Sequence, residues 1–210
     1  MAIDGKTVRG SKQSGLKSAI HLVSAFSTEN EVFLGQIKTA EKSNEITAIP
    51  ELLKILDLEK AIVTIDAMGC QTEIAQAIIE QKADYILAVK ENQKELYLDI
   101  ESAFLIPSKD QTKSYTTEEI GSGRIVKMIC TVIDDMTHLT EIDRWKSINT
   151  IIKIDSERFI KSTKQTQTAT RYYISSLPCE PNKIAEAIRS HWKIENNLHW
   201  HLDVSFREDK

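Results

Sequence analysis

The sequence predicts an α/β protein: a mixed five-stranded sheet flanked by helices, with a β-rich insertion before the last helix. Three features predict it. Runs of β-branched and aromatic residues open the chain, two continuous apolar runs then bracket a helical segment, and three further strand-like runs lie between residues 124 and 177.

A short strand around Asp4 comes first. Residues 18–26 (SAIHLVSAF) and 31–37 (EVFLGQI) follow as an antiparallel hairpin, turned by the polar stretch from Ser27 to Asn30. Over residues 43–58, Ile46, Ile49, Leu52, Leu53, Ile55 and Leu56 recur at helical spacing. Ser43 or Asn44 is a suitable cap, and Pro50 predicts two helical pieces or a late start. The run KAIVTID is apolar up to its final acid, the pattern of a buried parallel strand that delivers Asp66 to its C-terminal edge. The helix QTEIAQAIIEQK and the strand DYILAVK complete a strand-helix-strand unit, which must be parallel and right-handed. Residues 91–103 read as helix and 107–122 as a polar loop. RIVKMICTVI, INTIIKIDSERFI and TRYYISSL then read as three strands of an inserted subdomain or sheet extension. Pro178 and Pro181 open a final helix over 182–200, with Ile184, Ile188, Trp192, Ile194 and Leu198 at apolar positions. The expected division is a core of residues 1–94 and 178–210 with an insertion at 95–177.

With 210 residues, 41% hydrophobic and 28% charged, the chain can bury one good core and carry a small second lobe. No apolar run approaches the roughly 20 residues that span a bilayer. The opening MAIDGKTVRG has no apolar segment of the secretory kind, so the expected location is the cytoplasm, with no membrane partner. Cys70, Cys130 and Cys179 are far apart and form no CxxC pair, so they read as reduced thiols. A formal net charge of −4 argues against a general electrostatic attraction to nucleic acid and leaves room for a local basic groove. Lys6, Arg9, Lys12 and Lys17 gather near the start, Lys90 and Lys94 flank Asn92 and Gln93, and Arg189 and Lys193 precede Glu195.

Three acids carry the chemistry. Asp4 stands on the first strand, Asp66 at the end of the parallel strand and Glu195 on the last helix, so one sheet edge can collect all three. Magnesium and manganese prefer such hard oxygen ligands, and a two-metal carboxylate site serves phosphodiester transfer. Taken singly, each has an ordinary reading: Asp4-Gly5 as a turn, Asp66 as a strand end, Glu195 as a solvated helix residue.

Four stretches, AIDGKTVRGS, TIDAMGCQ followed by DYILAVKENQ, RYYISSL, and SHWKIENNLHWHLDVSFRED, resemble the DDE transposases of bacterial insertion sequences, in particular the H-repeat-associated type. They run in that family's order over nearly the whole chain. The resemblance implies a ribonuclease H-like fold with an insertion before the final catalytic helix, and Asp4, Asp66 and Glu195 as the catalytic, metal-binding triad. It implies two Mg2+ or Mn2+ ions, DNA as partner at element ends and target, a homodimer, and DNA cleavage followed by strand transfer. The acids lie 62 and 129 positions apart, which leaves room for the insertion. Expected DNA contacts are Lys6, Arg9, Lys90, Asn92, Gln93, Arg124, His191 and Lys193; the central GSGRIVKMICTV lacks the acidic and basic residues the family carries after GR, which leaves Arg124 as its one match. Related enzymes carry a tyrosine and an arginine seven and four positions before the glutamate and a lysine seven after it; here those places hold Ile188, His191 and Leu202. Family members are longer at both ends, so the expectation is a truncated copy with impaired activity. The alternatives are a non-catalytic DNA-binding or dimerising remnant that interferes with a full-length relative, and a ribonuclease H-like nuclease.

On a regular helix His191, Glu195 and His199 share one face, which also suits zinc, although no nearby cysteine or histidine completes a set. His191 and His199 are therefore expected to border DNA or pack beside Trp192 and Trp200. The two tryptophans are expected to pack the helix, with stacking on splayed bases as the alternative, and His21 to be a plain strand residue.

Overall fold

The computed structural model describes residues 1–11, 19–39, 45–105, 112–121 and 123–205. The chain divides into two compact units, one of Met1–Leu87 with Ala187–Lys210 and the other of Ala88–Glu186.

In the first unit, β1 (Ala2–Val8), β2 (Ile20–Ser27) and β3 (Val32–Thr39) form an antiparallel meander, in register from Ala2↔Phe26 to Val8↔Ile20 and bulged at Ala25/Phe26. β4 (Ile62–Ile65) runs parallel to β1, and β5 (Asp84–Val89) parallel to β4. β1 thus has a partner on both sides, and Asp4 stands in mid-sheet. Ile3, Val63, Ile65 and Leu87 are buried, as expected of strands covered on both faces. α1 (Glu45–Lys54) buries Ala48, Ile49, Leu52 and Leu53, and α2 (Thr72–Glu80) buries Ile74, Ala75 and Ile78. These positions form the three-and-four spacing of a helix laid on a core. Contrary to expectation, α1 is one piece with Pro50 inside it. A proline there forfeits a single intrahelical N–H bond, and the buried face to either side holds the helix. The suggested caps Ser43 and Asn44 lie outside the described residues.

The second unit contains α3 (Lys94–Leu105) and a meander of β6 (Thr112–Gly121), β7 (Arg124–Ile133), β8 (Thr150–Ile160) and β9 (Gln165–Ser175). β6 corrects the sequence reading, which left 107–122 as loop. It is bonded to β7 from Thr112↔Ile133 to Gly121↔Arg124 and is largely exposed, so no apolar period marks it. Its threonines, Tyr115 and Ile120 suit a pleat, and Lys113, Glu118 and Glu119 are the charges that keep an edge strand from pairing further.

Among the described residues the strand order is β3-β2-β1-β4-β5 in the first unit and β9-β8-β7-β6 in the second, nine strands where a five-stranded sheet was expected. The first five are the predicted ones; the surplus is the four strands of the second unit.

The single final helix also needs correction. α4 (Pro181–Lys193) is followed by a π-helical segment, Ile194–His199, and then by α5 (Trp200–Val204). Ile194 is buried with Ala2 and Phe26, Leu198 packs against them, and His199 is buried as well. The wider turn of a π-helix, bonded i to i+5, brings positions 194 and 199 to one side, where an α-helix would separate them.

Among the described residues no helix is long and apolar enough to cross a membrane. The three cysteines are thiols outside any disulfide, Cys70 and Cys130 being buried.

Candidate active site

Asp66 follows β4 directly and caps the 3-10 turn Ala67–Gly69: its Oδ1 accepts the N–H of Met68 at 3.0 Å and of Gly69 at 3.4 Å. That cap fixes where the carboxylate leaves the strand. Gly69 makes the turn possible, because a Cβ there would lie 2.4 Å from Cγ2 of Ile65. Asp4 is half-buried on β1, and Glu195 is exposed as the second residue of the π segment.

The acids feel one another. Burial, then the charge of Asp66, with Glu45 and Glu195 adding, pushes the Asp4 carboxyl up to about 7 against the opposing N–H of Gly5. Two histidines flank the group. Nδ1 of His199 lies 3.4 Å from Oδ2 of Asp4. Burial, then the Lys6 ammonium, pushes His199 down to about 4, with Asp203 opposing, so a neutral imidazole faces Asp4. Its Nε2 is buried with no hydrogen-bond partner among the described residues. Nδ1 of His191 lies 2.8 Å from Oγ1 of Thr64, whose hydroxyl donates to the carbonyl of Met1. Burial lowers His191 also, while Asp66 opposes the shift.

A second buried group lies beside Asp4, and the sequence reading missed it. Glu45 is buried with its carboxylate against Gly5, where a Cβ would come within 2.4 Å of Oε1. The same oxygen contacts Nε2 of His21, and Nδ1 of His21 lies 2.9 Å from Oγ1 of Thr7. His21 is thus a buried partner of a carboxylate instead of a plain strand residue. Gly5 is no turn: it sits in mid-strand opposite Val23. A glycine in a strand interior is the one local signal for this group, marking a close approach.

The expected DNA contacts fall in different settings. Lys6 is buried and pairs with Asp203. Lys193 donates to the Thr28 carbonyl at 3.1 Å and to Glu31 at 3.0 Å. Arg9 is exposed in a 3-10 turn, and Lys12 and Lys17 lie outside the described residues. Lys90 and Asn92 are exposed in the second unit, where the N–H of Gln93 donates to the Lys90 carbonyl at 2.9 Å. Arg124 is exposed at the start of β7. His191, Glu195 and His199 do not share a face: His199 is buried, His191 half-buried and Glu195 exposed. Trp192 and Trp200, expected in packing, are exposed at 43% and 53%.

The donor chemistry fits a hard divalent cation: burial first, and then the neighbouring carboxylates, raise the pKa of Asp4, and a cation would relieve the repulsive part. The fit is one of donor type and charge. Among the described residues no three His, Cys, Asp or Glu side chains are arranged to hold an ion.

The chain matches the family described as the transposase DDE domain over residues 1–210. It is 48% identical over 214 residues to YncI of Escherichia coli O157:H7, named as a candidate transposase, across 100% of this chain and 55% of that protein. YhhI of Escherichia coli K12, named as an H repeat-associated candidate transposase, is 44% identical over 217 residues, across 100% of this chain and 57% of that protein. The chain thus spans little more than half the length of these relatives. Among solved structures, a piggyBac transposase synaptic complex with hairpin DNA aligns at a TM-score of 0.48 and 11% identity, over 95% of this chain and 39% of that one.

Proposed function

Because the chain belongs to the transposase DDE domain family, we propose that it is the catalytic domain of an insertion-sequence transposase, cutting DNA at element ends and joining the cut strand to a target. The observation that carries this reading is electrostatic. Asp4, Asp66 and Glu195, separated by 62 and 129 positions, lie close enough for the other two to raise the pKa of the first.

Asp4, Asp66 and Glu195 are the residues that would hold Mg2+ or Mn2+. When bound, such ions supply an activated water or 3′ hydroxyl and stabilise the leaving oxygen. The chain's own residues prepare for this. The backbone cap sets the direction of Asp66, the neutral imidazole of His199 lies against Asp4 without adding charge, and the π segment carries Glu195 toward β1. The order β3-β2-β1-β4-β5 supports a ribonuclease H-like first unit, and the span 88–186 supports an insertion within it. DNA as partner, a dimer bridging two ends and a cytoplasmic location accompany this reading.

The test is nicking of duplex DNA carrying element ends, with Mg2+ or Mn2+. The expected result is metal-dependent nicking that Asp66→Ala abolishes. A second reading, a DNA-binding remnant without catalysis, draws on the lack of a ready three-residue metal arrangement among the described residues. DNA binding with no metal-dependent cleavage would select it, and nicking without any preference for element ends would select a nuclease.

A further inference from the structure

At the tip of the second unit's sheet the register sorts charge by face. Glu118, Lys127 and Glu157 align across β6, β7 and β8, and the next aligned set is Glu119, Val126 and Arg158. Successive side chains on a strand point to opposite faces. Lys127 therefore lies between two acids on one face. On the other face Arg158 stands diagonal to Arg124, which is aligned with Ile160, and Glu119 is the acid of that face, two strands from Arg158.

The turn at this end brings in a third cation. Lys161 follows β8 directly, and its N–H donates to the carbonyl of Gly123 at 2.9 Å. Gly123 has φ +74, a conformation that suits glycine. Gly123, Arg124, Arg158, Ile160, Lys161 and Ser162 line an open cleft of about 710 Å³. Arg124, Arg158 and Lys161 are all exposed, and none forms an ion pair or side-chain hydrogen bond among the described residues.

We propose that this cleft binds the phosphodiester backbone of duplex DNA through Arg124, Arg158 and Lys161. Neighbouring strands lie about 4.8 Å apart, so two guanidiniums on adjacent strands can converge on one phosphate. The guanidinium fork matches phosphate oxygens two at a time, and Lys161 supplies a mobile point charge beside it. The cleft has one apolar side chain, Ile160, and no aromatic ring, so it offers a base nothing to stack on; a sugar-phosphate backbone suits it better. The inference rests on the reading that this chain meets DNA, and it adds Arg158 and Lys161, which no sequence feature singled out.

The experiment titrates a fluorescent DNA duplex with the full chain over a range of salt concentrations, comparing wild type with the Arg158→Ala/Lys161→Ala variant. Both residues are exposed, so the fold should persist, and circular dichroism checks that. The expected result is binding weakened at least tenfold, with the slope of log K against log salt reduced by roughly 0.9 for each phosphate no longer neutralised. Arg158→Lys with Lys161 intact should keep most of the slope. If the wild type binds and the double variant matches it in affinity or in slope, this inference falls while the DNA reading stands. Should the wild type bind no duplex, both fall. Binding of poly-glutamate through these residues, with none of duplex, would overturn it in favour of an acidic protein partner.

Discussion

Asp4 is both a candidate ligand and a source of instability. Its folded-state pKa of about 7 exceeds the ordinary aspartate value, so the folded state holds this proton more tightly than the unfolded state does. Its contribution is therefore fully present below the ordinary value near 4 and is lost as pH rises toward 7. In metal-free buffer the thermal midpoint should fall over that interval. Asp4→Asn should flatten the fall and raise stability at neutral pH, on the order of 3 kcal/mol, while abolishing metal-dependent nicking; scanning calorimetry across pH checks it, and an unchanged pH dependence would refute it. The same scale shows what local text carries and what it does not. Asp4, Asp66 and Glu195 could be named as candidates because each stands in recognisable neighbouring sequence. Glu45 and His21 could not be, because their contact joins residues 24 positions apart and neither has a motif of its own.

Elements differ in how much their own residues specify them. β4, α2 and β5 were legible because apolar runs and a helical period are written in their own sequence. β6 was not, since an exposed edge strand is defined by its partner's backbone. The π segment escaped notice because residues 182–200 satisfy the α period; only the demand that Ile194, Leu198 and His199 all turn inward favours the wider turn. The turn after β4 gives a prediction at this scale. Gly69→Ala would set a Cβ 2.4 Å from Ile65, which should cost about 1–3 kcal/mol and displace the cap that aims Asp66. Urea unfolding reads the stability loss, and nicking should fall with it. A variant as stable as wild type would mean that the turn yields without strain.

At the scale of the molecule, each unit has its own core. Trp145 is 5% exposed in the second unit, whereas Trp192 and Trp200 are exposed in the first. Acrylamide quenching should therefore show a protected and an accessible emission, and Trp145→Phe should remove the protected part; a protected fraction that survives would place a different tryptophan in a core. A net charge of −4 means that any hold on DNA must come from local groups such as the cleft at the tip of β7 and β8. The placement of Asp4 on a strand paired on both sides, with Glu195 reaching it from a segment near the other end, has a consequence for biogenesis. The ribosome makes Asp4 well before Asp66 and Glu195 after both, so a nascent chain carries two of the acids long before it has the third. Any stop or proteolytic cut ahead of residue 195 leaves a protein with strands and helices but without the third of the proposed metal ligands.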